Sequence, residues 1–391
     1  MLPSAPLNPA PPELDPAADT PRRVAFVITR SDAVGGSQIH VQLLASALID
    51  AGHQAHVFVG EDGPWCRMLE ADGVPFTSLR YLRRAIRPGV DTLGLLEMTR
   101  ALRAYAPDLV TTHATKAGWL GRIAARSLGI PSVFTVHGWP LSPGRLAPAR
   151  QVIRLAEQAC AWGSGAMVFV SGYDRRVAQE HGIGLPHQRV VVHNALPDVP
   201  QTLRCKPTDA EPEVLMVARL DRPKDPLLAI DALAQLRALR WHFTLVGDGP
   251  LREQVQARIS KHGLVDRVTL AGTVNDVPQR LARSHVFLLA SRREGLPLSV
   301  LEAMRAALPV VSTDAGGVRE AVADGETGFV VPRDDVACLA DALRSLIVDP
   351  SLRARMGAAG RARYESDFSF EVHLRRTWAI YRRAMLEGPS R

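Results

Sequence analysis

Two glutamates, Glu294 and Glu302, stand eight residues apart where an apolar run leads through a glycine loop into a helix. The first N–H groups of such a helix and its dipole favour a phosphate. Carboxylates beside that helix end can accept hydrogen bonds from sugar hydroxyls. A ligand that is half sugar and half phosphate satisfies both kinds of group, so the segment predicts a nucleotide-sugar site. The donor-binding residues that we predict here are Gly295, Leu296, Leu298, Ser299 and Glu302.

Glu302 also admits a purely structural interpretation. Ser299 and Glu302 fit the helix capping box S-x-x-E, in which both side chains satisfy N–H groups at the start of the helix. A second segment nevertheless repeats the same design. After a short apolar run, the glycine pair Gly316 and Gly317 precedes a helix that carries an early acid, Glu320. The repetition favours a ligand site over an isolated cap.

The E-x7-E spacing followed by G-G-x-x-E resembles the donor half of the family 4 retaining glycosyltransferases, and the resemblance extends over residues 23–386. It implies an α/β protein of the GT-B fold, with two Rossmann-like parallel-sheet domains facing each other across a cleft. It also implies that Glu302 holds the ribose hydroxyls and that Glu294 has a catalytic place beside the transferred sugar. Gly316 and Gly317 would allow the backbone to approach the donor closely.

A basic pair follows the first strand predicted for the second half. Arg219 and Lys224 match the family's arginine and the lysine five residues after it, and the resemblance assigns both to the donor diphosphate. A leaving diphosphate needs positive charge where its negative charge develops, which a guanidinium and an ammonium supply. Ala218 stands where the family has glycine. The chain has no D-x-D motif, with which another glycosyltransferase fold holds a divalent ion, so we predict no required metal and no other cofactor.

In the first half, Gly35 and Gly36 lie between the first predicted strand and a helix. Glycine loops of this kind let amide groups approach a phosphate. The resemblance places the loop at the donor diphosphate and the acceptor. The alternative is a structural loop in which Ser37 is the helix N-cap.

Two histidines stand at the carboxyl ends of predicted strands, the edge at which open α/β sheets bind ligands. His137, in a His-Gly dipeptide, matches the family's histidine beside the transferred sugar, and the resemblance gives it a catalytic role as a hydrogen-bond partner of that sugar. Whether His137 transfers a proton is left open. His113 and Lys116 follow a neighbouring strand, and we predict that they lie on the acceptor side.

Residues 80–87 interleave arginines with apolar side chains and supply two more acceptor-side candidates, Arg83 and Arg84. The stretch suits docking on anionic lipid, although a solvated charged loop has the same composition. The net charge of +7 also favours an anionic partner. No zinc-finger spacing, basic zipper or RNP-type motif indicates nucleic acid, so an anionic membrane surface is the predicted partner. The resemblance implies a glycan or lipid-linked acceptor in bacterial surface polysaccharide assembly.

These candidates require elements that carry them to the edges of sheets. The chain alternates short apolar runs with amphipathic segments, which is the pattern of parallel α/β sheets. Strands are predicted over residues 24–28, 55–59, 109–112, 132–136, 167–170, 190–192, 214–217, 242–246, 268–270, 286–289, 310–312 and 328–331. Helices are predicted over residues 39–51, 94–105 and 117–128.

The same alternation predicts the division of the chain. We expect a disordered Pro-rich tail over residues 1–21, an acceptor-side Rossmann-like domain over 22–197 and a proline-rich linker over 198–212. A nucleotide-sugar-binding Rossmann-like domain follows over 213–368. Residues 369–391 are expected to form a helix that crosses back to the N-terminal domain, although an amphipathic helix packed on its own domain has the same pattern.

Length and composition agree with this division. The 391 residues exceed one ordinary domain, and no run approaches the ~18 apolar residues of a membrane span. The N-terminus lacks the basic and apolar regions of a signal peptide, and the four scattered cysteines favour reduced thiols. We therefore expect a cytoplasmic enzyme that is peripheral at the inner face of the cytoplasmic membrane.

Transfer of a hexosyl unit from a nucleotide-diphosphate sugar is the predicted function, with a UDP-sugar favoured and a GDP-sugar as the other candidate. Non-hydrolysing nucleotide-sugar 2-epimerases share the GT-B fold and are an alternative, and a non-catalytic sugar-nucleotide or glycan-binding module is a third class. The E-x7-E spacing and the basic pair favour transfer. Intact Glu294, Arg219, Lys224 and His137 argue against a non-catalytic module. The sequence leaves open the donor base and sugar, the acceptor and linkage, front-face attack versus double displacement, and the oligomeric state.

Overall fold

The computed structural model describes residues 12–32, 34–139, 147–206 and 211–389. The chain divides into two compact units, Met1–Asn194 with Glu371–Arg391, and Ala195–Phe370. Each unit is built on one parallel sheet with helices connecting its strands. This confirms the predicted α/β class with two Rossmann-like parts.

The N-terminal unit contains a sheet of seven parallel strands in the order β3-β2-β1-β4-β5-β6-β7 within the described residues. Its strands are β1 Arg23–Ile28, β2 Gln54–Gly60, β3 Phe76–Leu79, β4 Leu109–His113, β5 Ser132–Val136, β6 Ala166–Phe169 and β7 Arg189–Val191. Its connecting helices are α1 Gly36–Asp50, α2 Pro64–Ala71, α3 Pro88–Tyr105, α4 Thr115–Ser127, α5 Ala147–Ala161 and α6 Gly172–Glu180.

The C-terminal unit contains a sheet of six parallel strands in the order β10-β9-β8-β11-β12-β13, again within the described residues. Its strands are β8 Glu213–Val217, β9 His242–Val246, β10 Val268–Gly272, β11 Val286–Leu289, β12 Val310–Thr313 and β13 Gly328–Val331. Its helices are α7 Pro226–Ala234, α8 Arg252–Lys261, α9 Val277–Arg283, α10 Leu298–Arg305, α11 Val318–Ala321, α12 Val336–Val348 and α13 Pro350–Asp367.

Each sheet has one point at which the strand order reverses. In the N-terminal unit this point lies between β1 and β4, and in the C-terminal unit it lies between β8 and β11. At such a point the loops that follow the two central strands run to opposite sides of the sheet and leave a crevice, where open α/β sheets bind ligands. Most predicted site residues follow these same strands, so each unit carries candidates at its own switch point; His137 follows the neighbouring β5, and Arg83 and Arg84 follow β3.

The C-terminal helix, α14 Phe370–Glu387, packs into the N-terminal unit. Its side chains Trp378, Tyr381 and Ala384 are buried in the core that also contains Val24 and Phe26 of β1. Burying one face of the helix against that sheet removes apolar area from water and stabilises the contact.

The predicted disorder of residues 1–21 needs correction for its second half. Asp19 accepts a hydrogen bond from the indole of Trp378 at 2.8 Å, and Leu14 packs against the core of the N-terminal unit. The backbone N–H of Leu14 also donates to the carbonyl of Arg375 at 3.3 Å. Residues 12–21 are therefore held against α14, while residues 1–11 lie outside the described residues.

The predicted linker over residues 198–212 also makes specific contacts in its described part. Arg361 of α13 binds the Asp198 carboxylate with both guanidinium nitrogens, at 2.5 and 2.6 Å. This guanidinium holds the pKa of Asp198 down at about 2. The backbone N–H of Cys205 donates to the carbonyl of Ala306 at 2.7 Å. The segment thus packs on the C-terminal unit; residues 207–210 lie outside the described residues.

A buried ion pair joins α4 to α5 in the N-terminal unit. Nη2 of Arg122 lies 2.6 Å from Oε2 of Glu157, and the two side chains are 1% and 0% exposed. The indole of Trp119 donates to the other carboxylate oxygen at 2.9 Å. The carboxylate therefore has a partner for each oxygen, which burial of a charge requires.

Glu157→Ala is expected to lower the free energy of unfolding of the N-terminal unit by about 3–5 kcal/mol, because Arg122 would remain buried without its counter-charge. Urea unfolding followed by circular dichroism measures this change. The exposed Glu180, at the end of α6, provides the matched control, and Glu180→Ala should change stability by less than about 0.5 kcal/mol. A loss at Glu157 as small as that at Glu180 would contradict the assigned role.

Candidate functional site

Backbone hydrogen bonds join the loops that follow β8 and β11 in the C-terminal unit. The N–H of Asp225 donates to the carbonyl of Ala290 at 2.8 Å, and the N–H of Arg292 donates to that of Pro223 at 2.8 Å. Lys224 and Ser291 form an isolated antiparallel bridge between them. Two segments about seventy residues apart in sequence are thereby fixed side by side at the switch point of the sheet.

This pairing brings Lys224 and Glu294 into direct contact. The Lys224 ammonium forms an ion pair and hydrogen bond with Oε1 of Glu294. The two side chains are 17% and 9% exposed, so both are largely withdrawn from water. Two residues that the sequence assigned to different parts of one ligand are therefore also partners of each other.

The glycine pair after β12 completes this group of loops. Gly316 has φ of +62°, and a Cβ added there would lie 1.9 Å from the carbonyl oxygen of Glu294. The N–H of Gly317 donates to the carbonyl of Gly295 at 2.7 Å. The glycines permit a close approach to the Glu294 loop and so help to fix its position. Their predicted approach to the donor remains a prediction.

Helix α10 decides between the two interpretations of Glu302. The helix begins at Leu298 with Pro297 as N-cap, and its cap has no side-chain hydrogen bond. Ser299 therefore lies inside the first turn, and the capping-box alternative is wrong. The Glu302 carboxylate has no hydrogen-bond partner within the described part of the chain. Burial raises its pKa, against the opposing effect of the Arg305 charge.

Arg219 lies on the turn that follows β8, next to the glycine turn after β9. Its guanidinium pairs with Asp221 at 3.0 Å and is 43% exposed. The adjacent Gly247 has φ of +127°, and a Cβ there would lie 2.0 Å from the carbonyl oxygen of Ala218. Ala218 itself lies outside the left-handed region, which explains why alanine can replace the family's glycine. The exposed guanidinium at this edge is open to an anionic ligand.

In the N-terminal unit, Gly35 and Gly36 stand at the start of α1. Gly35 is the N-cap in an extended conformation, and the helix begins at Gly36 without a side-chain cap. The hydroxyl of Ser37 donates to the side-chain oxygen of Gln38 at 3.0 Å. The alternative in which Ser37 caps the helix is therefore wrong.

The two predicted histidines meet at the carboxyl ends of β4 and β5. Nδ1 of His113 lies 3.0 Å from Nε2 of His137. His40 of α1 packs edge-on against His137, with ring centroids 4.7 Å apart. Burial is the main cause that lowers the pKa of all three imidazoles well below the usual value. The cluster is therefore neutral near pH 7.

The sequence prediction did not include His40. A single histidine on the apolar face of a helix, beside Val41 and Leu44 in the core, has the pattern of an ordinary buried residue. One signal in the sequence could have identified His40 as a site residue. It stands four residues after Gly36, the first residue of the helix, and so one turn from the loop already proposed as a ligand site.

The Lys116 ammonium is paired within the N-terminal unit, and its place on the acceptor side stays a prediction. Its side chain is 7% exposed; it forms an ion pair with Asp91 and donates to the carbonyl of Ala85 at 2.5 Å. The lysine thus ties α4 to α3 and to the loop before it. The preceding Ala114 has φ of +67° and ψ of 153°, a region that is costly for a residue with a Cβ. This strain lies next to His113, and strained backbone of this kind clusters at ligand sites.

Arg83 and Arg84 lie in an exposed loop. Arg83 contacts Glu61 at 3.2 Å, and helix α3 begins only at Pro88. The basic stretch is therefore an exposed charged loop, and its docking on anionic lipid stays a prediction. None of the described helices combines the length and the apolar character that a membrane span requires.

Comparison with known proteins gives matches for both units. Residues 35–195 match the family model described as "Glycosyl transferase 4-like domain", and residues 205–363 match "Glycosyl transferases group 1". The chain is 28% identical over 299 residues to UDP-Gal:alpha-D-GlcNAc-diphosphoundecaprenol alpha-1,3-galactosyltransferase of Escherichia coli, covering 72% of this chain and 77% of that protein. It is 28% identical over 384 residues to glycogen synthase of Mycobacterium tuberculosis, with 89% and 91% covered.

Solved structures agree on the fold. The Anabaena protein Alr3699/HepE, solved in complex with UDP-glucose, superimposes with a TM-score of 0.78 at 22% identity, covering 91% of this chain and 98% of that one. Sucrose-phosphate synthase of Thermosynechococcus elongatus also gives 0.78 at 22% identity, with 92% and 98% covered. These likenesses confirm the predicted GT-B architecture.

Proposed function

The chain belongs to the family 4 glycosyltransferases of the GT-B fold, and from this premise we propose that it transfers a hexosyl unit from a nucleotide-diphosphate sugar with retention of configuration. Its relatives act in bacterial polysaccharide and glycan biosynthesis. The observation that carries the proposal is the contact of Lys224 with Glu294 at the switch point of the C-terminal sheet. There an ammonium for phosphate and a carboxylate for sugar hydroxyls lie within one hydrogen bond of each other.

A UDP-sugar is the favoured donor. The E. coli relative, 28% identical, uses UDP-Gal according to its name, and a GDP-sugar is the other candidate. In this proposal Glu302 accepts hydrogen bonds from the ribose, which is supported by its partly buried carboxylate having no hydrogen-bond partner among the described residues. A hydroxyl pair would supply the missing donors and stabilise the charged form of the carboxyl group.

In this proposal, positively charged side chains compensate the negative charge of the leaving nucleotide. Arg219 contributes an exposed guanidinium, and Lys224 an ammonium that can turn from Glu294 to a phosphate oxygen. Both stabilise the charge that develops on the leaving diphosphate. The reaction then requires no metal ion.

Retention is consistent with attack on the face that the nucleotide leaves. The acceptor hydroxyl oxygen forms the new bond to the anomeric carbon as the bond to the diphosphate breaks. The departing phosphate oxygen accepts the hydroxyl proton. This route needs no carboxylate nucleophile, so Glu294 can serve as a hydrogen-bond partner and charge stabiliser beside the sugar.

The acceptor is proposed to be a glycan or a lipid-linked glycan. The E. coli relative is named for an acceptor linked to diphosphoundecaprenol, which resides in a membrane. Arg83 and Arg84 are exposed on the N-terminal unit and would favour an anionic lipid surface by about 1 kcal/mol for each charge near it. The enzyme would then act as a peripheral protein at the inner face of the cytoplasmic membrane.

Calorimetric titration with UDP-galactose, UDP-glucose, GDP-mannose and ADP-glucose, with and without EDTA, tests the proposal. We expect one nucleotide class to bind with the same Kd in both buffers. Glu302→Ala and Arg219→Ala should each weaken it about 10- to 100-fold, since hydrogen bonds to charged groups contribute about 1.5–3 kcal/mol. Arg344→Ala on the exposed face of α12 is the control and should leave the Kd unchanged. Absence of binding would overturn the proposal, and loss of binding in EDTA would overturn its metal independence.

A further inference from the structure

A continuous chain of polar contacts leads from α14 to His137 inside the N-terminal unit. The Tyr381 hydroxyl donates to Oγ1 of Thr111 at 3.1 Å, and Oγ1 of Thr111 lies 3.2 Å from Nε2 of His113. Nδ1 of His113 in turn lies 3.0 Å from Nε2 of His137. Tyr381, Thr111 and His113 are at most 1% exposed, so water cannot substitute for a missing partner along this chain.

Burial fixes the direction of the hydrogen bonds. Thr111 is the hydrogen-bond partner of the Tyr381 hydroxyl within the described residues, so the phenolic proton has to point at Oγ1. The Thr111 hydroxyl then directs its own proton to Nε2 of His113. In the reverse direction the phenolic proton would be buried without an acceptor, which costs about 1–3 kcal/mol.

The direction of these bonds determines where each imidazole carries its proton. Both rings are neutral, because burial lowers the pKa of His113 and of His137 well below the usual value. A neutral imidazole has one N–H and one acceptor nitrogen. Since Nε2 of His113 accepts, its proton is on Nδ1 and is donated to Nε2 of His137. The proton of His137 is then on Nδ1.

We propose that Tyr381 and Thr111 are positioning residues that hold His137, through His113, in the tautomer protonated on Nδ1. His137 then offers a hydrogen-bond donor and no free acceptor nitrogen. It cannot serve as a general base, because Nδ1 already carries a proton and the lone pair of Nε2 is occupied by His113. That the group receiving this hydrogen bond is a hydroxyl of the transferred sugar rests on the proposed function.

The same rings also fit a second kind of ligand, which the proposal excludes. Nitrogens of His40, His113 and His137 lie within 4.8 Å of one another, a spacing that could hold a metal ion. A metal held between the facing nitrogens, Nδ1 of His113 and Nε2 of His137, would need both of their lone pairs at once. In the proposed tautomers a proton occupies the space between these two atoms, so the hydrogen bond and the metal are mutually exclusive.

Two-bond ¹H–¹⁵N correlation spectra of ¹⁵N-histidine-labelled full-length protein at pH 7 test the proposal. Substitution of His113 and of His137 by glutamine assigns their signals. We expect both rings of the unsubstituted protein to be protonated on Nδ1. Protonation of His137 on Nε2, or a charged ring, would overturn the proposal. So would a shift of all three clustered rings on addition of one equivalent of Zn²⁺. If a variant fails to fold, nuclear Overhauser contacts of the ring protons assign the two rings in the unsubstituted protein.

Thr111→Val supplies the matched variant, because it keeps the shape of the side chain and removes the hydroxyl. It should convert His113 and His137 to a mixture of tautomers, whereas Thr111→Ser should keep the Nδ1-protonated form. His262, whose Nε2 lies 2.8 Å from Asp231 in the other unit, is the internal control and should not change. An unaltered His137 in Thr111→Val would show that the hydroxyl does not set the tautomer. The tautomer measurements need no sugar donor. They can therefore contradict this proposal while nucleotide-sugar binding is confirmed, and they can support it while no nucleotide sugar binds.

Discussion

Lys224→Met is expected to lower the turnover of the nucleotide sugar about 10²- to 10³-fold, the effect of removing one group that stabilises the transition-state charge. Methionine keeps an unbranched apolar stem of similar size but has no ammonium. The Glu294 carboxylate, 9% exposed, would also lose its counter-charge. The rate of nucleotide release from the donor that binds in calorimetry measures the effect. Lys261→Met, at the exposed end of α8, is the control and should retain full activity.

A double-mutant cycle separates the two roles of Lys224. If Lys224 and Glu294 act as a unit, the double variant Lys224→Met, Glu294→Gln should be little slower than the slower single variant. If each acts on the donor independently, the two losses multiply. A Lys224→Met enzyme with unchanged turnover would remove the lysine from the reaction altogether.

The sheets could be predicted from sequence because buried parallel strands are continuous apolar runs. Every predicted strand is confirmed within one or two residues. Strand β3, Phe76–Leu79, was not predicted. It lies at the edge of its sheet and contains Thr77 and Ser78, so it lacks the apolar run that marks the central strands.

Helix starts could be placed less accurately. The helices predicted at residues 39, 94 and 117 begin at Gly36, Pro88 and Thr115. Apolar periodicity marks where a helix is packed on the sheet, whereas its first turn can extend into solvent or a loop. Proline in the first turn, as at Pro88, is compatible with a helix start and was the indication left unused.

The site residues could be predicted one by one, but the contacts between them depend on which strands and helices are neighbours in the fold. The sequence marked Lys224 and Glu294 individually, but only the adjacency of β8 and β11 makes them partners. Lys116 was predicted from its place after a strand, yet its ion pair with Asp91 depends on the packing of α3 against α4. Contacts of this kind join distant parts of the chain, and spacing along one segment cannot reveal them.

Gly316→Ala is expected to lower donor turnover about 10²-fold, because its Cβ would lie 1.9 Å from the carbonyl oxygen of Glu294. The clash is with backbone, so no side chain can rotate to relieve it, and the Glu294 loop must move. A displacement of about 1 Å at a reacting group can cost this much. Nucleotide release from the donor measures the loss.

Gly325→Ala is the control that separates displacement of the Glu294 loop from the energetic cost of placing alanine in a left-handed backbone conformation. Gly325 also has a left-handed backbone, with φ of +79°, but nothing lies within 4 Å of its added Cβ. Gly325→Ala should therefore lose about 1–2 kcal/mol of stability in thermal unfolding, and Gly316→Ala at least as much, because the backbone clash adds to the same cost. Only Gly316→Ala should also lose turnover, because only there does the added methyl group meet the loop that carries Glu294. Equal turnover in the two variants would mean that the position of this loop does not limit the reaction.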